Sequence, residues 1–282
     1  MGIGDNYFFV KVTDKVVVHA EQPWNDHWLP FTNLDLLVPP FDVGSFFCYK
    51  KPSHGSFPDL LNTLKASLSR ALSLYYPLAD VELKELNLYN PDESIEGKLM
   101  PKKLHGVLAI QGEQLNKLQL VASENGQRRS KLEAFTSFLW KIVALSMEDS
   151  GNHNKLCNVA LAVDGRRRLS EGDGEEKEKL RASHFGNVLS MPSGSKTSQE
   201  LKEMSLSTIA TDVHKFLQTA TTKDHFLDLI DWVEERRSQP LVAIAFASKE
   251  MSVMVSSGTR FHTNGDMDFG WGKVVFGSCH MA

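Results

Sequence analysis

The chain has 282 residues, 41% of them hydrophobic and 23% charged, a composition that supports a folded core in one large or two ordinary domains. Its 31 basic and 35 acidic residues leave a net charge of -4, so no broad basic field exists to attract nucleic acid or an anionic membrane surface. Both are set aside as partners.

The opening residues, Met1-Gly2-Ile3-Gly4-Asp5-Asn6, carry neither the basic and apolar regions of a signal peptide nor the Ser or Thr that myristoylation needs at the sixth position. No apolar run approaches the roughly 18 residues that span a bilayer. A cytoplasmic protein is expected. Cys48, Cys157 and Cys279 form no CxxC pair, and three isolated cysteines suit buried thiols in a reducing compartment.

Residues 7–12 and 15–20 read as short extended runs, a turn region rich in Pro and Asp follows, and 45–49 reads as a further strand. Over 58–76, Leu61, Leu64, Leu68, Leu72 and Tyr75 recur at steps of three and four, which places them on one stripe of a helix that stops at Pro77. Residues 107–111 look like a strand. Gly112-Glu113-Gln114-Leu115 then leads in to a second helix opened by Ser130, with Glu133 three residues on completing a capping box. Leu132, Phe135, Leu139, Ile142 and Val143 form its apolar face. Residues 156–163 read as a buried strand, and the Gly- and Glu-rich stretch 171–179 as a solvated loop. Helices at 198–218 and 224–237 precede strands near 241–247 and 252–256. Strands mixed with long helices, without strict βαβ alternation, predict an α/β chain of the mixed α+β kind rather than a doubly wound nucleotide fold.

Gly194-Ser195-Lys196-Thr197 looks like the end of a P-loop, but the glycine required five residues earlier is missing, so it reads as a turn before a helix. There is no GxGxxG, GxSxG or HExxH, and no His, Cys or carboxylate cluster with metal-ligand spacing. No metal and no resident cofactor are expected. Ten histidines remain as candidate bases. His225 and Asp228, three apart on a helix, share a face, as a surface contact or as a dyad. His214, among Val213, Phe216 and Leu217, reads as a satisfied, partly buried imidazole. His262-Thr263-Asn264-Gly265-Asp266 is the only HxxxD string in the chain, and so short a string also arises by chance.

Asp268-Phe269-Gly270-Trp271-Gly272 matches the DFGWG motif of the plant BAHD family of acyl-CoA-dependent acyltransferases. Five further stretches resemble that family in the same order: Asn33-Leu34-Asp35-Leu36-Leu37, Tyr75-Tyr76-Pro77-Leu78-Ala79, Leu139-Trp140-Lys141, Val163-Asp164-Gly165-Arg166-Arg167-Arg168 and Phe185-Gly186-Asn187-Val188. Residues 88–111, with Tyr89-Asn90-Pro91-Asp92 and Gly106-Val107-Leu108-Ala109-Ile110, are similar to members acting on phenylpropanoid alcohols or hydroxycinnamoyl thioesters. The resemblance implies a chloramphenicol-acetyltransferase-like fold of two pseudo-symmetric α/β domains with a channel between them. Acyl-CoA enters from one side, as co-substrate, and an alcohol or amine acceptor from the other. The family's HxxxD histidine is the general base at the channel centre, a task suited to a neutral imidazole. DFGWG is a structural loop away from the chemistry, which makes Trp271 a packed structural aromatic.

The chain departs from that pattern where the base should be. Beyond Gln111 the family continues through a strand, the HxxxD loop, a helix and a crossover, and roughly a hundred residues are expected to be absent here. The catalytic residue is therefore unknown. Asp80-Val81 stands where the family has Gly-Arg, and Ala282 ends the chain ten residues after Gly272, where the family carries further strands. Residues 1–111 are read as an incomplete N-terminal domain and 112–282 as a shortened C-terminal domain with DFGWG. The implied function is an acyltransferase-family protein with little or no turnover; the alternatives are a non-catalytic binding or regulatory relative and an active enzyme with another base. Ser130 and Lys131, at a helix N-terminus, would favour a CoA phosphate, or form only a capped end with a surface lysine. Arg166, also a candidate donor-binding residue, would face the channel, or belong to a solvated turn with Arg167 and Arg168. A strand edge left unpaired by the missing segment implies a protein partner that covers it.

Overall fold

The computed structural model describes residues 16–22, 30–38, 43–51, 55–75, 110–147, 155–170, 175, 184–237, 251–257 and 268–281. In chain order these form β1 (Val43–Tyr49), α1 (Phe57–Leu74), α2 (Gly112–Ala122), α3 (Lys131–Ser146), β2 (Leu156–Leu161), β3 (Val163–Asp164), α4 (Arg166–Leu169), β4 (Leu189–Ser190), β5 (Ser193–Thr197), α5 (Ser198–Glu203), α6 (Leu206–Ala220), α7 (Lys223–Glu234), β6 (Met251–Val255) and β7 (Val274–Met281). The chain divides into two compact units that are not contiguous in sequence. One gathers Met1–Leu29, Pro40–Val107 and Phe261–Ala282; the other gathers Pro30–Pro39 and Leu108–Arg260.

In the first unit, α1 begins at a capping box: the Asp59 amide donates to Ser56 Oγ at 3.4 Å and the Ser56 amide to Asp59 Oδ2 at 2.9 Å. Residues 16–20 join no ladder, contrary to the extended run expected at 15–20. Their backbone is fastened to the helix instead, with Ser69 Oγ donating to His19 O at 2.7 Å and the Glu21 amide to Ser69 O at 3.1 Å. The expected run at 7–12 lies outside the described residues. On the α1 stripe, Leu64 and Leu68 stay 40% and 49% exposed. β1 pairs antiparallel with β7 from Val43 opposite Met281 to Tyr49 opposite Val274, with a register slip between Cys48 and Tyr49. Cys48 is exposed rather than buried.

In the second unit, β2 is the central strand of three, antiparallel to β5 and parallel to β6. Its alternation buries Cys157, Val159 and Leu161 in a core with Trp140, Leu201, Ile209 and Val213. Trp140 Nε1 also donates to Cys157 O at 3.1 Å, so the indole is satisfied as well as buried. Helix α3 packs on α2, α5, α6 and the sheet. Its fully covered face is Ala134, Thr136, Ser137, Trp140 and Ala144, whereas the expected face of Leu132, Phe135, Leu139, Ile142 and Val143 is only partly covered. Small side chains let the neighbouring helices approach closely, and apolar periodicity does not register them.

Gln111 caps α2 and its amide donates to Gln114 Oε1 at 2.9 Å; neither Ile110 nor Gln111 is in the strand expected at 107–111. The expected lead-in at 112–115 is the first turn of α2. The single helix expected at 198–218 is two, because Ser205 Oγ accepts from the Thr208 amide at 3.2 Å and caps α6 anew. Gly194-Ser195-Lys196-Thr197 is part of strand β5, not a turn. A Cβ at Gly194 would lie 2.2 Å from the Phe216 ring, and Lys196 pairs with Asp212 at 3.1 Å. The expected strand at 241–247 and most of the loop at 171–179 lie outside the described residues.

Candidate functional site

Three of the stretches marked by resemblance converge in the second unit. Asp35 Oδ2 accepts from the Thr32 amide at 3.0 Å and from Thr32 Oγ1 at 2.6 Å. Oδ1 accepts from the Asn187 amide at 2.6 Å and Asn187 Nδ2 at 3.1 Å. Burial would raise the carboxyl, but the donors from Thr32 and Asn187 outweigh it and hold Asp35 below the usual carboxylate range. Asn33 Nδ2 donates to Ile230 O at 3.0 Å and to Glu234 Oε2 at 2.9 Å, which ties the same segment to α7.

The third stretch supplies Arg166. Its Nη1 contacts Asp164 Oδ1 at 3.2 Å and its Nη2 donates to Gly186 O at 2.5 Å. Gly165 before it is required by close approach, since an added Cβ would stand 2.3 Å from the Phe226 ring.

These segments border an open cavity of about 330 Å³. Leu34, Leu169, Val188 and Ile230 give it an apolar wall; Arg166 and His184 also border it. Sequence reasoning did not single out His184, Asp35 or Asn187. Both Asp35 and Asn187 lay within recognised stretches, but nothing local signals that residues so far apart share a carboxylate.

The other expected site residues fall elsewhere. The α3 N-terminus holds a carboxylate of its own chain: the Ser130 amide donates to Glu133 Oε2, and the Glu133 amide to Ser130 Oγ at 3.2 Å. Glu133 is also 2.5 Å from His214 Nδ1, and these partners hold its carboxyl below the usual range although burial alone would raise it. The amides that would greet a phosphate at Ser130 are thus partly engaged; Lys131 is exposed. His214 is the satisfied imidazole the sequence suggested. His225 Nε2 lies 2.7 Å from Ser190 Oγ, and burial pushes its imidazole below the ordinary value while Asp228 draws it back. Ser190 is only 4% exposed, so this pair offers no accessible nucleophile. His262 lies outside the described residues, and among those described no group of three or more His, Cys, Asp or Glu side chains could hold a metal ion.

DFGWG forms a closed turn in the first unit. Asp268 Oδ1 accepts from the Gly270 amide at 2.8 Å and the Gly272 amide at 3.0 Å, and these bonds lower its carboxyl. Gly270 and Gly272 adopt φ of 92° and 117°, open to glycine at little cost. Phe269 and Trp271 stack at 5.2 Å between ring centres, and Tyr49 meets both edge-on at 6.2 and 6.0 Å.

The profile of the Transferase family matches residues 8–86 and 80–282. A hydroxycinnamoyltransferase of Narcissus pseudonarcissus is 34% identical over 70 residues, which are 25% of this chain and 16% of that protein, so the match spans about a sixth of the relative. The crystal structure of vinorine synthase superposes with a TM-score of 0.61 at 14% identity, covering 93% of this chain and 86% of that one. The structure of F. graminearum TRI101 complexed with coenzyme A and deoxynivalenol gives 0.46 at 16% identity, over 77% and 53%. No described helix is long and apolar enough to cross a membrane. With the family profile matched along nearly all of its sequence and a mixed α/β fold like that of vinorine synthase, the chain belongs to the Transferase family of BAHD acyltransferases.

Proposed function

We propose that this chain is an acyl-CoA-dependent acyltransferase by descent that turns over little or no substrate. The family match carries the first half of the reading. The reaction would join an acceptor oxygen or nitrogen to the thioester carbonyl and break the C–S bond, with a base taking the acceptor's proton and the CoA sulfur leaving as the thiol after protonation. A positioned base contributes about 10²- to 10⁴-fold to such a step. The only HxxxD string, starting at His262, abuts DFGWG, and the histidines with a described partner are tied to Glu133 and Ser190. That the family profile matches in two pieces meeting at residues 80–86 supports a break in the family pattern within the first half of the chain, where 1–111 is read as an incomplete domain.

Purified protein offered acyl-CoA thioesters with alcohol or amine acceptors is expected to release no more free CoA than buffer. Acceptor-dependent release abolished by His262→Ala would overturn this and make His262 the base. The second reading, a binding protein without turnover, is favoured by the apolar-walled, open cavity beside Arg166, which requires no base.

A further inference from the structure

Arg167-Arg168-Leu169-Ser170 gives Ser170 arginines two and three positions before it, an arrangement that no other serine of the chain has. Protein kinases whose substrate clefts carry carboxylates select serines by such a pair, because each guanidinium makes forked, charge-assisted bonds to a carboxylate. Arg167 is exposed on α4, and Ser170 is half-buried just past its last residue. The helix is a single turn. The Arg168 and Leu169 amides close it on Gly165 O at 2.8 and 3.0 Å, and the Ser170 amide on Arg166 O at 3.2 Å. So short a helix opens to an enzyme at less cost than the longer ones around it. The surroundings also suit a phosphate once it is in place. Ser170 borders the cavity together with Arg166 and His184. A guanidinium has five N–H donors. Asp164 and Gly186 each engage one of those on Arg166, and the others meet no partner among the described residues. The Ser170 hydroxyl donates to Arg166 O at 2.7 Å. A phosphoester oxygen has no proton to give, so modification releases this side chain from the helix end.

We propose that Ser170 is a phosphorylation site for an arginine-directed protein kinase, and that its phosphate docks on Arg166 at the border of the cavity. In the transfer, Ser170 Oγ attacks the γ-phosphorus of ATP and the bond from that phosphorus to the bridging oxygen breaks. ADP leaves, and the hydroxyl proton passes to the base of the kinase. The modification fixes a charge of about −1.5 to −2 beside the cavity, where an arginine is at hand to receive it. Neither step uses a thioester or a base of this chain, so the proposal stands or falls separately from the turnover question.

The test incubates the full chain, its fold checked by circular dichroism, with Mg-ATP and the catalytic subunit of cyclic-AMP-dependent protein kinase, and maps the product by mass spectrometry. Phosphate on Ser170 is expected, and its loss from the mapped product in Ser170→Ala. Arg167→Gln removes an exposed guanidinium that the kinase would grip, and should slow transfer to Ser170 at least about tenfold. Docking is read by phosphorus NMR. The phosphate of the folded chain should become protonated at a pH at least about 0.5 unit below that of the same chain unfolded in urea, because a neighbouring guanidinium favours the dianion. Arg166→Gln should bring the two midpoints together; if that variant fails to fold, the comparison of the folded and unfolded native chain decides by itself. No phosphate on Ser170 of the folded chain, transfer undiminished by Arg167→Gln, a midpoint unchanged by folding, or a folded Arg166→Gln chain that keeps the lowered midpoint would overturn the proposal.

Discussion

One carboxylate, that of Asp35, holds Thr32 and Asn187, the latter 152 positions away, through four hydrogen bonds. Asp35→Ala should cost about 1–2 kcal/mol, the lower part of the range for bonds to a charged group, because the carboxylate keeps some contact with solvent. The pH dependence has a definite sign. The folded carboxyl sits below its unfolded value near 3.9, so its stabilisation is fully present above that value and is lost as pH falls through the lower folded one. Urea unfolding of both proteins at pH 7, 5 and 3 should therefore show a constant gap at the first two and a smaller one at the third; an undiminished gap at pH 3 would mean that charge is not what makes the bonds strong. At the other motif, Trp271→Ala removes one stacked and one edge-on ring contact from a partly exposed side chain. About 1–2 kcal/mol is expected in urea unfolding, less than for a fully buried Trp.

At the scale of elements, close packing makes some glycines indispensable and leaves others free. Gly165→Ala and Gly194→Ala would each drive a Cβ into an aromatic ring, Phe226 or Phe216, and should destabilise by about 1–3 kcal/mol. Gly112→Ala meets open space at the first turn of α2 and should be neutral or stabilising by up to about 1 kcal/mol. Thermal unfolding of the three variants separates them, and equal midpoints would refute the packing argument. The sequence shows elements best where a strong local signal exists: Ser130 with Glu133 announced α3, and the leucine spacing announced α1. It hid α2, whose cap is a glutamine and whose first residue is a glycine. It merged α5 with α6, because the Ser205 cap sits inside a run of good helical spacing. The wall of the cavity was legible only as separate resemblances, since the Asp35–Asn187 contact is made by the fold and leaves no local pattern.

For the whole molecule, the exposed stripe of α1 sets the expected behaviour in solution. Phe57, Leu64, Leu68 and Leu74 leave 77%, 40%, 49% and 79% of their surfaces open, on one helix. Apolar area gathered in this way favours association. Size-exclusion chromatography with light scattering should show concentration-dependent oligomers, or a monomer stabilised by a protein that covers the first unit. A monodisperse monomer with one cooperative thermal transition would count against both.

The β1–β7 ladder orders events during synthesis. β1 leaves the ribosome early, but its antiparallel mate is translated only after the whole second unit has emerged. At about 5–20 residues per second, β1 waits on the order of ten to fifty seconds for β7, while the second unit has all its segments in hand and is free to fold. The nascent first unit, with β1 not yet joined to β7 and the α1 leucines exposed, is in that interval a natural client for a holding chaperone. Deletion of residues 274–281 would remove that pairing for good.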